Sequence, residues 1–185
     1  MSAETAVDLD AFFEQSDSRS KSYFKTKAFA VTAVLTATGV AGRVALQHVP
    51  SVEPLIAVAA ATGFYFGMRE GVAAGATGYY ISNFLVWGGQ GPWTFFQVLG
   101  AAAAGVTGGL AGNISKGRNA FLVSTAVGLV VYEVVINLAS VGFMASGFSF
   151  AFMAAALPFA FAHLVSTVGF GLILYGSKEK IGLYR

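Results

Sequence analysis

Of the 185 residues, 56% are hydrophobic and only 11% are charged, with 23 glycines and no cysteine, against roughly 45–50% apolar and 25% charged in soluble domains. That composition excludes an ordinary water-soluble globule, and the missing cysteines exclude disulfides, thiol catalysis and cysteine-ligated zinc. A net charge of +2 supplies no basic field for nucleic acid.

The charges are also unevenly placed. Nine of the 20 lie in residues 1–27 and four in 178–185, leaving seven for the 150 residues between. Residues 1–27 read as a polar cytosolic tail with a weak helix around Val7–Phe13. Asp8, Asp10, Glu14 and Asp17 precede the basic residues there, which is the wrong order for a cleavable signal. Residues 28–177 read as a transmembrane domain and 178–185 as a basic cytosolic end.

Uninterrupted apolar runs place spans near 28–47, 53–68, 70–87, 93–113, 119–141 and 151–175, most of them close to the ~20 residues that cross a ~30 Å hydrocarbon core. Pro50 and Pro54 bracket the first loop. Gly67 to Gly71 make the tightest break, and Pro92 opens the fourth span after a glycine-rich turn, at a position where no amide donor is missed. Lys116, Gly117 and Arg118 separate the fourth span from the fifth, and Gly142–Ser149 separate the fifth from the sixth. The expected fold is an all-α bundle of six transmembrane helices in the cell membrane. Ten of the eleven Lys and Arg fall on one side of it, so both termini are expected in the cytoplasm. Arg43, at the outer end of the first span, is the exception.

Helices in lipid associate through small residues. Three ridges with a four-residue repeat occur: Ala33, Ala37, Ala41 and Ala45; Gly63, Gly67, Gly71 and Gly75; and Ala101, Gly105 and Gly109. The second and third suit packing inside the bundle. The first, a flat alanine face, suits either internal packing or docking by a partner helix.

Ionisable groups in hydrocarbon cost several kcal/mol and mark function by default. Arg43, Asn83, Trp87, Glu133 and Asn137 fall in the outer halves of outward-running helices. Trp93, Gln97 and His163 fall near the outer surface or mid-depth of inward-running ones. Tyr79, Asn83 and Trp87 form one helical stripe, Trp93 and Gln97 a second, Glu133, Asn137 and Ser140 a third, and Phe159 and His163 a fourth. Together they describe an outer pocket with aromatic walls and polar anchors, lined from the last outer loop by Phe148, Phe150 and Phe152 unless those rings anchor it at the lipid surface. Pro158 is expected to break the sixth helix above His163. Each group also has a structural reading. Arg43 snorkels to headgroups, Glu133 pairs with Arg43 or His163, His163 bridges helices, and both tryptophans join an interfacial belt. No phosphate-binding loop, H-E-x-x-H, G-x-S-x-G or G-x-G-x-x-G motif occurs. The chain is therefore expected to bind rather than catalyse, with no metal and no cofactor.

The segment Gly42-Arg43 through Pro54, the triplet Ser82-Asn83-Phe84 and the run Gly89-Gln90-Gly91-Pro92-Trp93-Thr94 with Gln97 resemble substrate-binding S components of energy-coupling factor (ECF) vitamin transporters, over residues 28–175. The resemblance implies a subunit that binds a vitamin from outside, beneath loops at 47–53 and 88–92. It also implies docking through the alanine ridge of the first helix onto a transmembrane coupling subunit, driven by two cytosolic ATPase subunits. The Gln90–Trp93 form is most similar to members associated with cobalamin or with no assigned substrate, while Phe95 and Phe96 depart from the Pro and Trp of that pattern. Asn83, Gln90, Gln97 and Asn137 suit an amide-rich cobamide; Arg43 and His163 equally suit a smaller anionic vitamin.

Overall fold

A computed structural model describes residues 9–144 and 150–181. It contains α1 (Leu9–Leu46), α2 (Leu55–Phe66), α3 (Met68–Ser82), α4 (Pro92–Ile114), α5 (Arg118–Met144) and α6 (Phe150–Ser177), with no strand among the described residues. Four of these helices, α1 from Asp17 onward, α4, α5 and α6, are long and apolar enough to cross a membrane. At 12 and 15 residues, α2 and α3 rise only about 18 Å and about 22 Å.

Three boundaries differ from the hydrophobicity reading. α1 continues through the polar segment before residue 28, because nothing from Leu9 to Thr38 is Gly or Pro and i,i+4 pairs such as Asp17–Lys21 support the helix. α3 ends at Ser82, five residues early. Phe84 and Leu85 donate to the carbonyls three residues back, Ile81 and Ser82, which turns an apolar run out of the helix. α6 runs unbroken through Pro158.

The bundle is organised around α2, every residue of which is buried. Gly67, the single-residue link from α2 to α3, has φ +122°, a conformation that side chains disfavour. It folds α2 and α3 into an antiparallel hairpin, with Gly63 beside Gly71. α4 packs on both arms through glycine. Ala101, Gly105 and Gly109 face Gly75, Gly71 and Met68 of α3, while Gly108 and Gly112 lie against the Ala60 and Phe64 carbonyls of α2. The second and third small-residue ridges are therefore interior contacts. Buried threonine hydroxyls at 36, 62 and 125 donate to carbonyls of the preceding turn, so they need no distant partner. The alanine ridge is different: Ala33, Ala37, Ala41 and Ala45 are all exposed along α1.

Candidate functional site

The short hairpin determines where a site can form. The end of α1, the start of α2, the end of α3 and the start of α4 meet at one end of the bundle. There Leu55 seats against Gly39 and Gly78, and Pro54 against Gly42. The 47–54 loop and the 83–91 turn cover that end.

Beneath them runs a chain of polar side chains, hydrogen-bonded except at one 3.4 Å contact between Glu53 and His163 Nε2, a buried nitrogen that makes no hydrogen bond. Gln97 Oε1 accepts from Asn83 Nδ2 (2.7 Å), and Asn83 Oδ1 accepts from an Arg43 terminal nitrogen (2.7 Å), which also donates to Ser82 Oγ (2.5 Å). Arg43 Nε donates to Glu53 Oε2 at 2.6 Å. The other oxygen of Glu53 accepts from the Tyr79 hydroxyl and lies 3.4 Å from His163 Nε2. His163 Nδ1 is 2.7 Å from Glu133 Oε1, and Asn137 Nδ2 donates to Glu133 Oε2 at 3.3 Å. The guanidinium sits 4.5 Å above the Tyr79 ring, and Tyr132 packs at 5.1 Å on Tyr79 and at 5.7 Å on His163. The backbone N–H of Glu53 donates to Ser166 Oγ on α6, fixing the loop to the bundle.

A cleft of about 390 Å³ opens above this chain. Arg43, Glu53, Tyr132, Glu133 and His163 line it from the bundle, and Gln47 with residues 49–52 and 86–88 line it from the loops. The two loops are joined: the Trp87 N–H donates to Gln47 Oε1 (3.1 Å), and the His48 and Trp87 rings meet edge to face at 4.5 Å.

Of the nine binding residues expected from sequence, Arg43, Trp87, Glu133 and His163 line this cleft. Asn83 and Gln97 stand behind Arg43 and hold it. Asn137 braces Glu133 from an apolar groove between α5 and α6. Gln90 and Trp93 are not part of the cleft. Gln90 donates to the Tyr80 carbonyl, and the Trp93 indole folds over Gly91 and donates to the Gly89 carbonyl, so both close the turn that starts α4. Trp87 reaches the cleft from the turn rather than from a helical stripe with Tyr79 and Asn83. Phe159 is exposed and does not line the cleft. Phe148 lies outside the described residues, as do the side chains of Phe150 and Phe152. Among the structural readings, Glu133 pairs with His163, and Arg43 pairs with Glu53 instead of reaching headgroups.

Glu53, the hub of the chain, is missing from the set expected from sequence, and Tyr132 and Ser82 are missing with it. One signal pointed to Glu53. A buried arginine requires a counter-charge, and Glu53 is the nearest acid along the chain, between Pro50 and Pro54. Compared with protein-family models, curated proteins and solved structures, the chain matches none.

Proposed function

We propose that the chain is a membrane-embedded solute-binding subunit of an ECF-type importer. In this reading the chain passes the cell membrane six times with both termini in the cytoplasm, α2 and α3 completing their passes with loop backbone, and the cleft faces outside. The carrying observation is the polar chain from Gln97 to Asn137, which gathers residues of five helices and a loop around one cleft. Isolated ionisable groups in lipid are costly. Here they share one network whose open side is the cleft. Because α2 and α3 are shorter than a full span, space remains at the outer end for loop backbone that lines a cavity, the arrangement in which irregular backbone is tolerated at membrane depth. At about 390 Å³ the cleft is at the lower end of small-molecule sites. That favours a compact vitamin over a cobamide, whose corrin ring and nucleotide are several times larger.

The exposed alanine face of α1 supports the rest of the reading, namely docking on a transmembrane coupling subunit powered by two ATPase subunits. Ala37→Trp is expected to abolish uptake and partner assembly while leaving ligand binding to the isolated subunit intact. Uptake assays and co-purification check this, and retained uptake removes docking through that face. A second reading, a stand-alone proton-coupled carrier, is favoured by one feature only: His163 stands between the carboxylates of Glu53 and Glu133. It requires uptake by this chain alone, abolished by an uncoupler.

A further inference from the structure

Resting on the reading of the cleft as a solute site, we infer that its ligand is a small organic cation held between the Glu133 carboxylate and the Trp87 indole. The first ground is which charges remain accessible. Among the described residues Arg43 carries the only fixed positive charge in the cleft lining, and it is already committed to Glu53 at 2.6 Å and to the oxygens of Ser82 and Asn83. Its side chain is 12% exposed, whereas the Glu133 side chain is 23% exposed. An anion entering here would meet a guanidinium whose charge is compensated. A cation would meet the more open carboxylate, whose partners are the titratable ring of His163 at 2.7 Å and the neutral Asn137 amide at 3.3 Å instead of a fixed charge.

The second ground is the count of fixed charges. Two carboxylates, Glu53 and Glu133, face one guanidinium, and the remaining group beside both acids is the titratable ring of His163, which carries no fixed charge. A ligand cation placed at Glu133 supplies the second positive charge when the His163 ring is neutral. The mouth agrees: residues 47–54 and 83–91 contain Glu53 and His48 but no Lys or Arg, so no positive rim attracts anions.

The third ground is the aromatic lining. Trp87 is 74% exposed although it is a large apolar side chain. Its backbone and ring are nonetheless fixed by Gln47 and His48. A held, exposed indole in the lining of a cleft that also contains two carboxylates has the chemistry that recognises organic ammonium groups, where the ring face attracts the cation. Tyr132 supplies a second aromatic ring in the lining.

The full chain in detergent is titrated with three aromatic probes of similar size: benzyltrimethylammonium, benzyl alcohol and phenylacetate. Calorimetry and thermal stabilisation are the readouts. The expected result is saturable binding of the ammonium probe, with the carboxylate probe at least about tenfold weaker. Glu133→Gln, which keeps the side-chain shape, is expected to weaken the ammonium probe by about tenfold or more. Trp87→Ala, at an exposed position outside the core, is expected to weaken it about fivefold. Phenylacetate binding as tightly as the ammonium probe overturns the inference and leaves the solute-site reading standing. So does ammonium binding that neither substitution alters. If no probe binds, the charge of the non-lipid molecule that co-purifies decides: a cation supports the inference, and a neutral or anionic molecule overturns it. No probe binding and no such molecule removes both the inference and the solute-site reading.

Discussion

Arg43→Met is expected to be the most damaging single change at the cleft, lowering stability by about 3–5 kcal/mol, the cost of leaving one partner of a buried ion pair unmatched. The substitution keeps most of the side chain's length but strands Glu53 beside Tyr79 and His163. It also removes the donor shared by Ser82 Oγ and Asn83 Oδ1. Arg43→Lys should not rescue the loss. An ammonium cannot reach Glu53 from one edge while bonding Ser82 and Asn83 from another, as the planar fork does. The double change Arg43→Met with Glu53→Gln should recover part of the stability, because the uncompensated charge is then gone. Thermal unfolding of the wild type, Arg43→Met, Glu53→Gln and the double variant in detergent measures the coupling. Equal losses in the single and double variants would show that the pair is not what holds this end together.

Gly108→Ala should prevent the bundle from forming. A Cβ there would fall well inside the van der Waals contact distance of the Ala60 carbonyl oxygen and 2.9 Å from that residue's carbonyl carbon and Cα. All three are backbone atoms of the fully buried α2, so no rotamer change relieves the contact and α4 must move away. The cost should exceed the about 1–3 kcal/mol of ordinary overpacking. Gly169→Ala is the matched comparison. Nothing lies within 4 Å of its Cβ position, so removing a flexible residue from a helix interior should be neutral or stabilising by about 0.5–1 kcal/mol. Accumulation in membranes and the unfolding midpoint distinguish the two. Similar behaviour of both variants would mean that the α2–α4 contact is looser than the glycines imply.

Where a boundary was set by backbone chemistry, sequence was enough to find it. Pro92 occupies the first position of α4, and the Lys116–Arg118 break falls between Ile114 and Arg118 as the helices do. The glycine spacings in α3 and α4 likewise pointed to interior contacts, because only close backbone approach uses them in that way. Hydropathy failed at the end of α3. Phe84 to Trp87 are as apolar as the helix before them, and the signal reports burial in lipid rather than backbone conformation. It failed at the start of α1 for the converse reason, since polar residues free of Gly and Pro continue a helix without difficulty.

The site was legible as a set of residues and not as a geometry. Intramembrane cost singled out Arg43, Glu133 and His163, because an ionisable group within an apolar span stands out. Glu53 did not stand out, because it sits in a loop where an acid is ordinary; only the loop's descent onto Ser166 and Arg43 buries it. Gln90 and Trp93 have the chemistry of ligand contacts, yet their local hydrogen bonds to the Tyr80 and Gly89 carbonyls use it to shape a turn. Helical spacing cannot separate those roles once the residues lie outside a helix.

The claim that everything else depends on is that the polar chain exists to surround a guest. Native mass spectrometry of the full chain released from detergent tests it most directly. The expected spectrum carries one non-lipid small molecule per chain, lost in Glu133→Gln while the fold is retained. A spectrum of bare chain with lipid and detergent alone, or an adduct indifferent to that substitution, would contradict it.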